Sequence, residues 1–109
     1  MTGTFLSRAK SEELVTWETK GQISYARLDS ATGQLKTKEV KVAERGKWPV
    51  VLGGLNGSVL VSWKNDSRLN WQIFDADDKP LGKSDSKVSP ISSRHAGVAN
   101  TDGTFLLID

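Results

Sequence analysis

The chain has no cysteine, a single histidine and no apolar stretch that approaches the roughly 18 residues of a membrane-spanning helix. Without cysteine, disulfides and thiolate metal sites are excluded, and a zinc site would have to rest on His95 and carboxylates alone. The composition therefore predicts neither a metal site nor a cofactor. The first residues, Met1–Leu6, lack the basic region and apolar run of a signal peptide, so none is predicted.

The chain also has no large excess of positive or negative charge. Lys and Arg number 15 against 13 Asp and Glu, which gives a net charge of +2. An excess this small predicts neither a nucleic-acid partner nor an anionic membrane. Aromatic residues make up only 7%, but four of them are tryptophans, and we expect these to anchor the packing.

An internal repeat organises the sequence. Leu14-Val15-Thr16-Trp17 returns as Leu60-Val61-Ser62-Trp63, and 60 − 14 = 46. The runs that begin at Tyr25 and Trp71 keep the same offset, which continues without a gap. A third, partial copy begins at 94. The 109 residues thus form one repeat domain, with copies at 2–47, 48–93 and 94–109.

Each complete copy contains four short segments with the composition of β-strands, and none has helical periodicity. The segment pattern predicts two hairpin turns with positive φ at both central residues, at Asn56-Gly57 and Asp102-Gly103. It also predicts turns after Asp29 and Asp75, whose side chains can bond to the nearby backbone. The predicted strands are Thr4–Ser7, Leu14–Trp17, Ile23–Leu28 and Leu35–Val42 in the first copy, Pro49–Leu52, Val59–Trp63, Leu69–Phe74 and Leu81–Val88 in the second, and Ala96–Ala99 and Phe105–Ile108 in the third.

Four strands per repeat of this length, with a charged fourth strand, are typical of a β-propeller blade. A blade has two apolar faces that only neighbouring blades can cover. We therefore predict an all-β fold, a propeller fragment of about two and a half four-stranded blades. A ten-stranded β-sandwich is the alternative, although it gives no reason for an uninterrupted repeat register.

Two long runs carry a family resemblance: LVTWETKGQISYARLDSATG at 14–33 and LVSWKNDSRLNWQIFDADDKPLG at 60–82. Together with KWPVV at 47–51 and RHAGVANTDGTFLL at 94–107, they resemble sialidase-like (BNR-type) propeller domains, in particular C-terminal blades of large exported bacterial proteins. The resemblance implies a propeller fold and an exported protein. The Asp-box of sialidases, Ser-x-Asp-x-Gly-x-Thr-Trp, is absent, and no arginine triad or tyrosine nucleophile is recognisable, so no catalytic residue carries over.

Candidate binding residues come from the loops expected at one end of the blades. Arg45, Arg68, Arg94 and His95 could meet an anionic or sugar ligand, and Trp48 could stack on it. The alternatives are that these loops are polar only because they are solvated, and that His95 is a hydrogen-bonded structural residue.

The sequence thus favours a non-catalytic binding or interaction module, completed by self-association or by further propeller blades. A carbohydrate-binding lectin formed by oligomeric closure is one alternative, and a remnant of a sialidase-type glycoside hydrolase is another. Because closed propellers need about four or more blades, we expect a dimer or trimer, or membership in a longer protein.

Overall fold

The computed structural model describes residues 2–9, 12–89 and 95–108, and the regular elements there are strands except for one short 3-10 turn at Leu55–Gly57. The all-β class predicted from the sequence is confirmed. The strands are β1 (Thr2–Ala9), β2 (Glu12–Thr19), β3 (Gln22–Asp29), β4 (Val40–Ala43), β5 (Lys47–Gly53), β6 (Val59–Asn65), β7 (Arg68–Phe74), β8 (Asp85–Val88), β9 (Ala96–Ala99) and β10 (Phe105–Ile108).

The described strands form three small antiparallel sheets, and within each sheet the strands that are consecutive in the chain pair with each other. The first sheet has the order β1-β2-β3-β4, the middle sheet β5-β6-β7-β8, and the third sheet β9-β10. The connections are short, which favours pairing between consecutive strands. Each sheet follows one copy of the repeat in order, with β5 beginning at Lys47.

The fourth strand of each full sheet is much shorter than the sequence pattern suggested. The predicted strand from Leu35 to Val42 is reduced to β4, and Leu35 touches Leu28 only through an isolated bridge. Leu35 is 62% exposed, so burial of its side chain does not hold the start of this segment in a strand. In the second copy Pro80 and the positive-φ Gly82 precede β8 and interrupt the ladder in the same region.

The hairpin turns agree with the sequence in one copy and differ in another. Asn56 and Gly57 have φ of 57° and 78°, as predicted for both centres of the turn. In the third copy positive φ falls on Gly103 but not on Asp102, so that turn prediction is wrong. The Asp102 carboxylate there accepts hydrogen bonds from the Thr104 amide and hydroxyl, which favours a different local conformation.

The two aspartates predicted to close the third strand do so. Asp29 Oδ1 accepts the amide of Ala31 at 2.8 Å, and Asp75 Oδ1 accepts the amide of Asp77 at the same distance. Both turns are therefore held by a side chain that replaces a backbone acceptor.

The sheets stack face to face, with β1 beside β5 and β5 beside β9. Side chains alternate along a strand, so the middle sheet presents apolar residues to both neighbours. One face joins the first sheet in a core of Leu14, Ile23, Tyr25, Val51, Val59, Val61, Trp63 and Phe74. The other face carries Val50, Leu52 and Leu60 against Ala99, Phe105 and Leu107 of the third sheet.

Trp63 lies in the first of these cores and is 5% exposed. The position of its indole explains why residue 46, in the loop between β4 and β5, is a glycine. A Cβ on Gly46 would lie 2.5 Å from Trp63 Cδ1, so the loop passes too close to the ring for a larger residue.

The third sheet is covered on one face. Val98, Leu106 and Ile108 point to its other side and are about half exposed, at 46%, 52% and 52%. No helix in the part of the chain that the structure describes is long and apolar enough to cross a membrane.

Candidate functional site

A buried charged network joins the first and middle sheets. Arg27 on β3 is directed at the middle sheet, and its side chain is 5% exposed. Its Nε donates to Asp78 Oδ1 at 2.9 Å and its Nη1 to Glu12 Oε2 at 2.8 Å. Its Nη2 donates to the carbonyl of Gly57 at 2.8 Å. The guanidinium therefore ties two carboxylates from different sheets to the backbone of a turn.

Tyr25 extends this network. Its hydroxyl donates to the same Asp78 Oδ1 at 2.5 Å, and its ring packs against Phe74 with centroids 5.0 Å apart. Burial and the Asp78 carboxylate raise the pKa of the Tyr25 hydroxyl, so the group stays a donor.

Hydrogen bonds and charge pairing shift the pKa values of Glu12 and Arg27. The hydrogen bond from Arg27 lowers the pKa of Glu12 against the opposing effect of burial. Burial by itself lowers the pKa of Arg27, but the hydrogen bonds to Glu12 and Asp78 outweigh it and leave that pKa raised. Glu12 and Arg27 are thus both ionised at neutral pH, and the network acts as a structural tie between sheets.

The corresponding positions between the middle and third sheets are apolar. Trp71 and Ile73 stand 46 residues after Tyr25 and Arg27. Both lie on the face of the middle sheet that is turned towards β10, and both are half-buried. Apolar side chains therefore stand at the second interface where Tyr25 and Arg27 of the charged network stand at the first.

An open apolar groove lies at this second interface. The third sheet has two strands in the described chain, so β10 covers β6 while β7 and β8 extend beyond it. The resulting cavity measures about 610 Å³. The cavity is lined by residues in or beside the strands of the middle sheet, by the inner face of β10 and by two residues just before β10: Ser58, Leu60, Leu69, Trp71, Ile73, Leu81, Lys87, Gly103, Thr104, Phe105 and Leu107. Lys87 supplies the charged group among these residues.

Two buried polar pairs lie on the same face of the middle sheet as the groove. Ser62 Oγ and His95 Nε2 share a hydrogen bond of 2.6 Å, and Lys64 Nζ donates to Ser89 Oγ at 2.7 Å. All four residues are at most 8% exposed. A serine beside a histidine can act as a nucleophile only where a substrate reaches it, and these side chains are enclosed.

The residues predicted as a binding rim lie in different surroundings. Arg45 is exposed in the loop between β4 and β5. Arg68 is exposed at the start of β7 and donates to Ser86 Oγ at 2.9 Å, while His95 is buried against Ser62. Arg94 lies outside the described residues. The described candidates, which are Arg45, Arg68, His95 and also Trp48, do not line the groove.

Trp48 has an unusual backbone. Its φ is +53°, at a point where the β5–β6 register shifts by a bulge between Lys47 and Val50. The indole is half-buried and lies under Lys47 Nζ, 5.0 Å from the ring centroid. A bulky residue in the left-handed region is uncommon and carries strain.

Sequence reasoning missed both the charged network and the groove. Nothing in the spacing of Glu12 and Asp78 along the chain shows that both meet the same Arg27. One signal was available: the repeat exchanges Arg27 for Ile73, and a charge at an apolar repeat position implies a buried partner. The groove has no sequence signal of its own, because it depends on how far one sheet overlaps the next.

Comparison with known proteins found no matching family model, no matching curated protein and no matching solved structure. The resemblance to sialidase-like propeller domains therefore stays a prediction. Among the described residues there is no group of three or more His, Asp or Glu side chains that could hold a metal ion.

Proposed function

We propose that this chain is a non-catalytic interaction module whose three sheets correspond to adjacent blades of a β-propeller. Support comes from the way the ten strands of the described residues divide among three stacked sheets, one for each copy of the repeat, where a sandwich would have two. Support also comes from the neighbouring positions of β1, β5 and β9, the first strands of each sheet, as expected for strands around an axis.

The proposed binding role rests on one observation: the two faces of the middle sheet are covered to different extents by the neighbouring sheets. Its first face is buried under the first sheet, whereas the opposite face leaves the groove open beside β10. Apolar side chains concentrated in one concave site are the usual basis of recognition. The groove is the binding surface of this proposal.

Closure into a complete propeller would require contacts between this chain and further blades. A closed propeller needs about four blades or more, so additional blades would come from other copies or from a longer polypeptide. The exposed Val98, Leu106 and Ile108 give the third sheet an apolar outer face on which a further blade could stack.

A glycan or anionic ligand at Arg45, Trp48 and Arg68 stays a prediction. It concerns exposed or half-buried groups that do not line the groove.

The test uses Nile red, a neutral dye whose emission rises in apolar sites. We expect saturable binding to the folded chain that Leu81→Ser weakens, because Leu81 lines the groove and is 53% exposed. Leu106→Ser is the matched control, since Leu106 is 52% exposed on the opposite face of β10. Equal loss of dye binding in the two variants would contradict the assignment of the groove. Turnover of a fluorogenic sialoside by the purified chain would contradict the non-catalytic role.

A further inference from the structure

We infer that Asn56 is a site of spontaneous deamidation, and that the hydrogen bond from Arg27 to the carbonyl of Gly57 keeps this site closed in the folded chain. The co-reactant is water, and the product carries an isoaspartyl or aspartyl residue at position 56.

The turn between β5 and β6 contains the chemically labile pair. Asn56-Gly57 is the one Asn-Gly pair of the sequence, since Asn65, Asn70 and Asn100 are followed by Asp, Trp and Thr. In deamidation the backbone nitrogen of the following residue attacks the asparagine Cγ, and a glycine has no side chain to hinder that approach. Asn56 is also exposed, so water reaches it.

Deamidation proceeds through a cyclic succinimide. A bond forms between Gly57 N and Asn56 Cγ, the Cγ–Nδ2 bond breaks, and ammonia leaves with the proton of the Gly57 amide. Water then adds to one of the two ring carbonyls and opens the ring. Addition at the backbone carbonyl leaves the main chain running through Cβ and Cγ, which is the isoaspartyl linkage and lengthens the chain by one methylene.

The folded turn holds the reacting atoms apart. Asn56 has φ of 57° and ψ of 29°. At this ψ the nitrogen of Gly57 lies nearly opposite to the Cβ of Asn56 about the Cα–C bond, whereas the five-membered ring requires both on the same side. Because the peptide group is planar, the nitrogen can reach Cγ only by rotation about ψ. Deamidation of the folded chain therefore requires the turn to open.

Two sets of hydrogen bonds oppose this rotation. Within the turn, the amide of Ser58 donates to the carbonyl of Leu55 at 3.1 Å, and Ser58 Oγ donates to the same carbonyl at 2.8 Å. From the first sheet, Arg27 Nη2 donates to the carbonyl of Gly57 at 2.8 Å, and the Arg27 side chain is 5% exposed. Opening of the turn moves Gly57 and breaks this second contact, so the interface between the two sheets protects Asn56.

The product would act back on the charged network. The added methylene precedes Gly57, so it displaces the carbonyl that accepts from Arg27. Linkage requires the effect to be mutual: if the Arg27 bond disfavours the open turn, an altered turn weakens the hold of Arg27. Deamidation at Asn56 is thus an irreversible ageing step that loosens the tie between the first and middle sheets.

The first measurement compares the folded chain with the chain unfolded in urea, both incubated at neutral pH. Isoaspartate is quantified by methylation with protein isoaspartyl methyltransferase and located by mass spectrometry of the tryptic peptide 48–64, in which Asn56 is the single asparagine. We expect the folded chain to react at least about tenfold more slowly, because only its open fraction reacts. Equal rates would overturn the inference.

The second measurement assigns the protection to Arg27. Arg27→Met removes the donor to Gly57, whereas Ile23→Ala opens a cavity elsewhere in the same core, beside the loop that contains Gly46. Both variants are incubated at urea concentrations that give them equal free energies of unfolding, so that global unfolding contributes equally. We expect Asn56 to deamidate about tenfold faster in Arg27→Met, as for loss of a hydrogen bond from a charged donor.

Arg27→Lys repeats the comparison in a chain that keeps a cation between the two acids. A single ammonium does not reproduce the planar fork of a guanidinium, so we expect a smaller increase in rate, of about threefold at matched stability. If neither Arg27 variant deamidates faster than Ile23→Ala, the hydrogen bond to Gly57 does not close the site and the inference is wrong.

The last measurement tests the effect of the product on the network. The isoaspartyl form is separated by ion exchange and unfolded in urea beside Asn56→Asp, which has the same charge and a normal main chain. We expect the lower urea midpoint for the isoaspartyl form, because only that form displaces the Gly57 carbonyl. Equal midpoints would overturn the coupling between the turn and the network.

Discussion

Substitution of Arg27 by methionine should lower the free energy of unfolding by about 3–5 kcal/mol. The guanidinium is 5% exposed, and the two acids that it pairs with are 13% exposed at Asp78 and 23% at Glu12. Methionine fills part of the same volume but leaves both carboxylates and the Gly57 carbonyl without this donor. The cost arises chiefly from charges left buried, because the net gain from a buried ion pair is itself small.

The expected loss of stability can be compared with that for Lys36, a second cation that pairs with Glu12. Lys36 Nζ lies 3.0 Å from Glu12 Oε1, close to the Arg27–Glu12 distance of 2.8 Å, but the Lys36 side chain is 43% exposed. An exposed pair of this kind contributes at most about 1 kcal/mol, so Lys36→Met is a control matched in partner and differing in burial. A chain of this size has a total stability of roughly 5–15 kcal/mol, so the Arg27 loss would be a large fraction of the whole.

Urea unfolding followed by tryptophan fluorescence provides the measurement, since Trp63 lies in the core that the network borders. Both variants should unfold cooperatively with similar dependence on urea, and their midpoints should differ clearly. If Arg27→Met costs less than about 1 kcal/mol, or no more than Lys36→Met, the network does not hold the first two sheets together and the reasoning from burial is wrong.

Two further predictions follow from the backbone and from titration. At Trp48, with φ of +53°, the Gly variant should be more stable than the Ala variant by about 1 kcal/mol, because both lose the indole while only alanine keeps a Cβ in the left-handed region. Paired thermal melts of Trp48→Gly and Trp48→Ala measure this, and a more stable alanine variant would argue against the backbone conformation. The pKa of Glu12 is held below its ordinary value of 4.5, so its stabilising contribution is complete above that value and is lost as pH falls through the lower, folded pKa. Glu12→Gln should therefore flatten the fall in unfolding free energy as the pH is lowered below 4.5, and an unchanged slope would show that Glu12 is not coupled to folding.

The repeat explains why much of the local structure could be predicted from the sequence. Apolar and β-branched residues recur with the same offset, so the positions of β2, β3, β6, β7, β9 and β10 follow from composition and turn residues alone. Asp29 and Asp75 close their turns through bonds that depend only on neighbouring residues. The turn prediction failed where a neighbouring side chain altered the turn. Asp102-Gly103 matches Asn56-Gly57 as a dipeptide, but the amide and hydroxyl of Thr104 donate hydrogen bonds to Asp102, and a different turn results.

The sequence by itself determined the all-β class, the repeat and most strand positions, because these depend on interactions among residues close together in the chain. Tertiary structure decided the rest. The meeting of Glu12, Arg27 and Asp78 depends on which faces of two sheets are turned towards each other, and no spacing along the chain encodes that distance. The groove beside β10 arises in the same way, from a two-stranded sheet lying on a four-stranded one, so the area left uncovered exists only after the sheets have stacked.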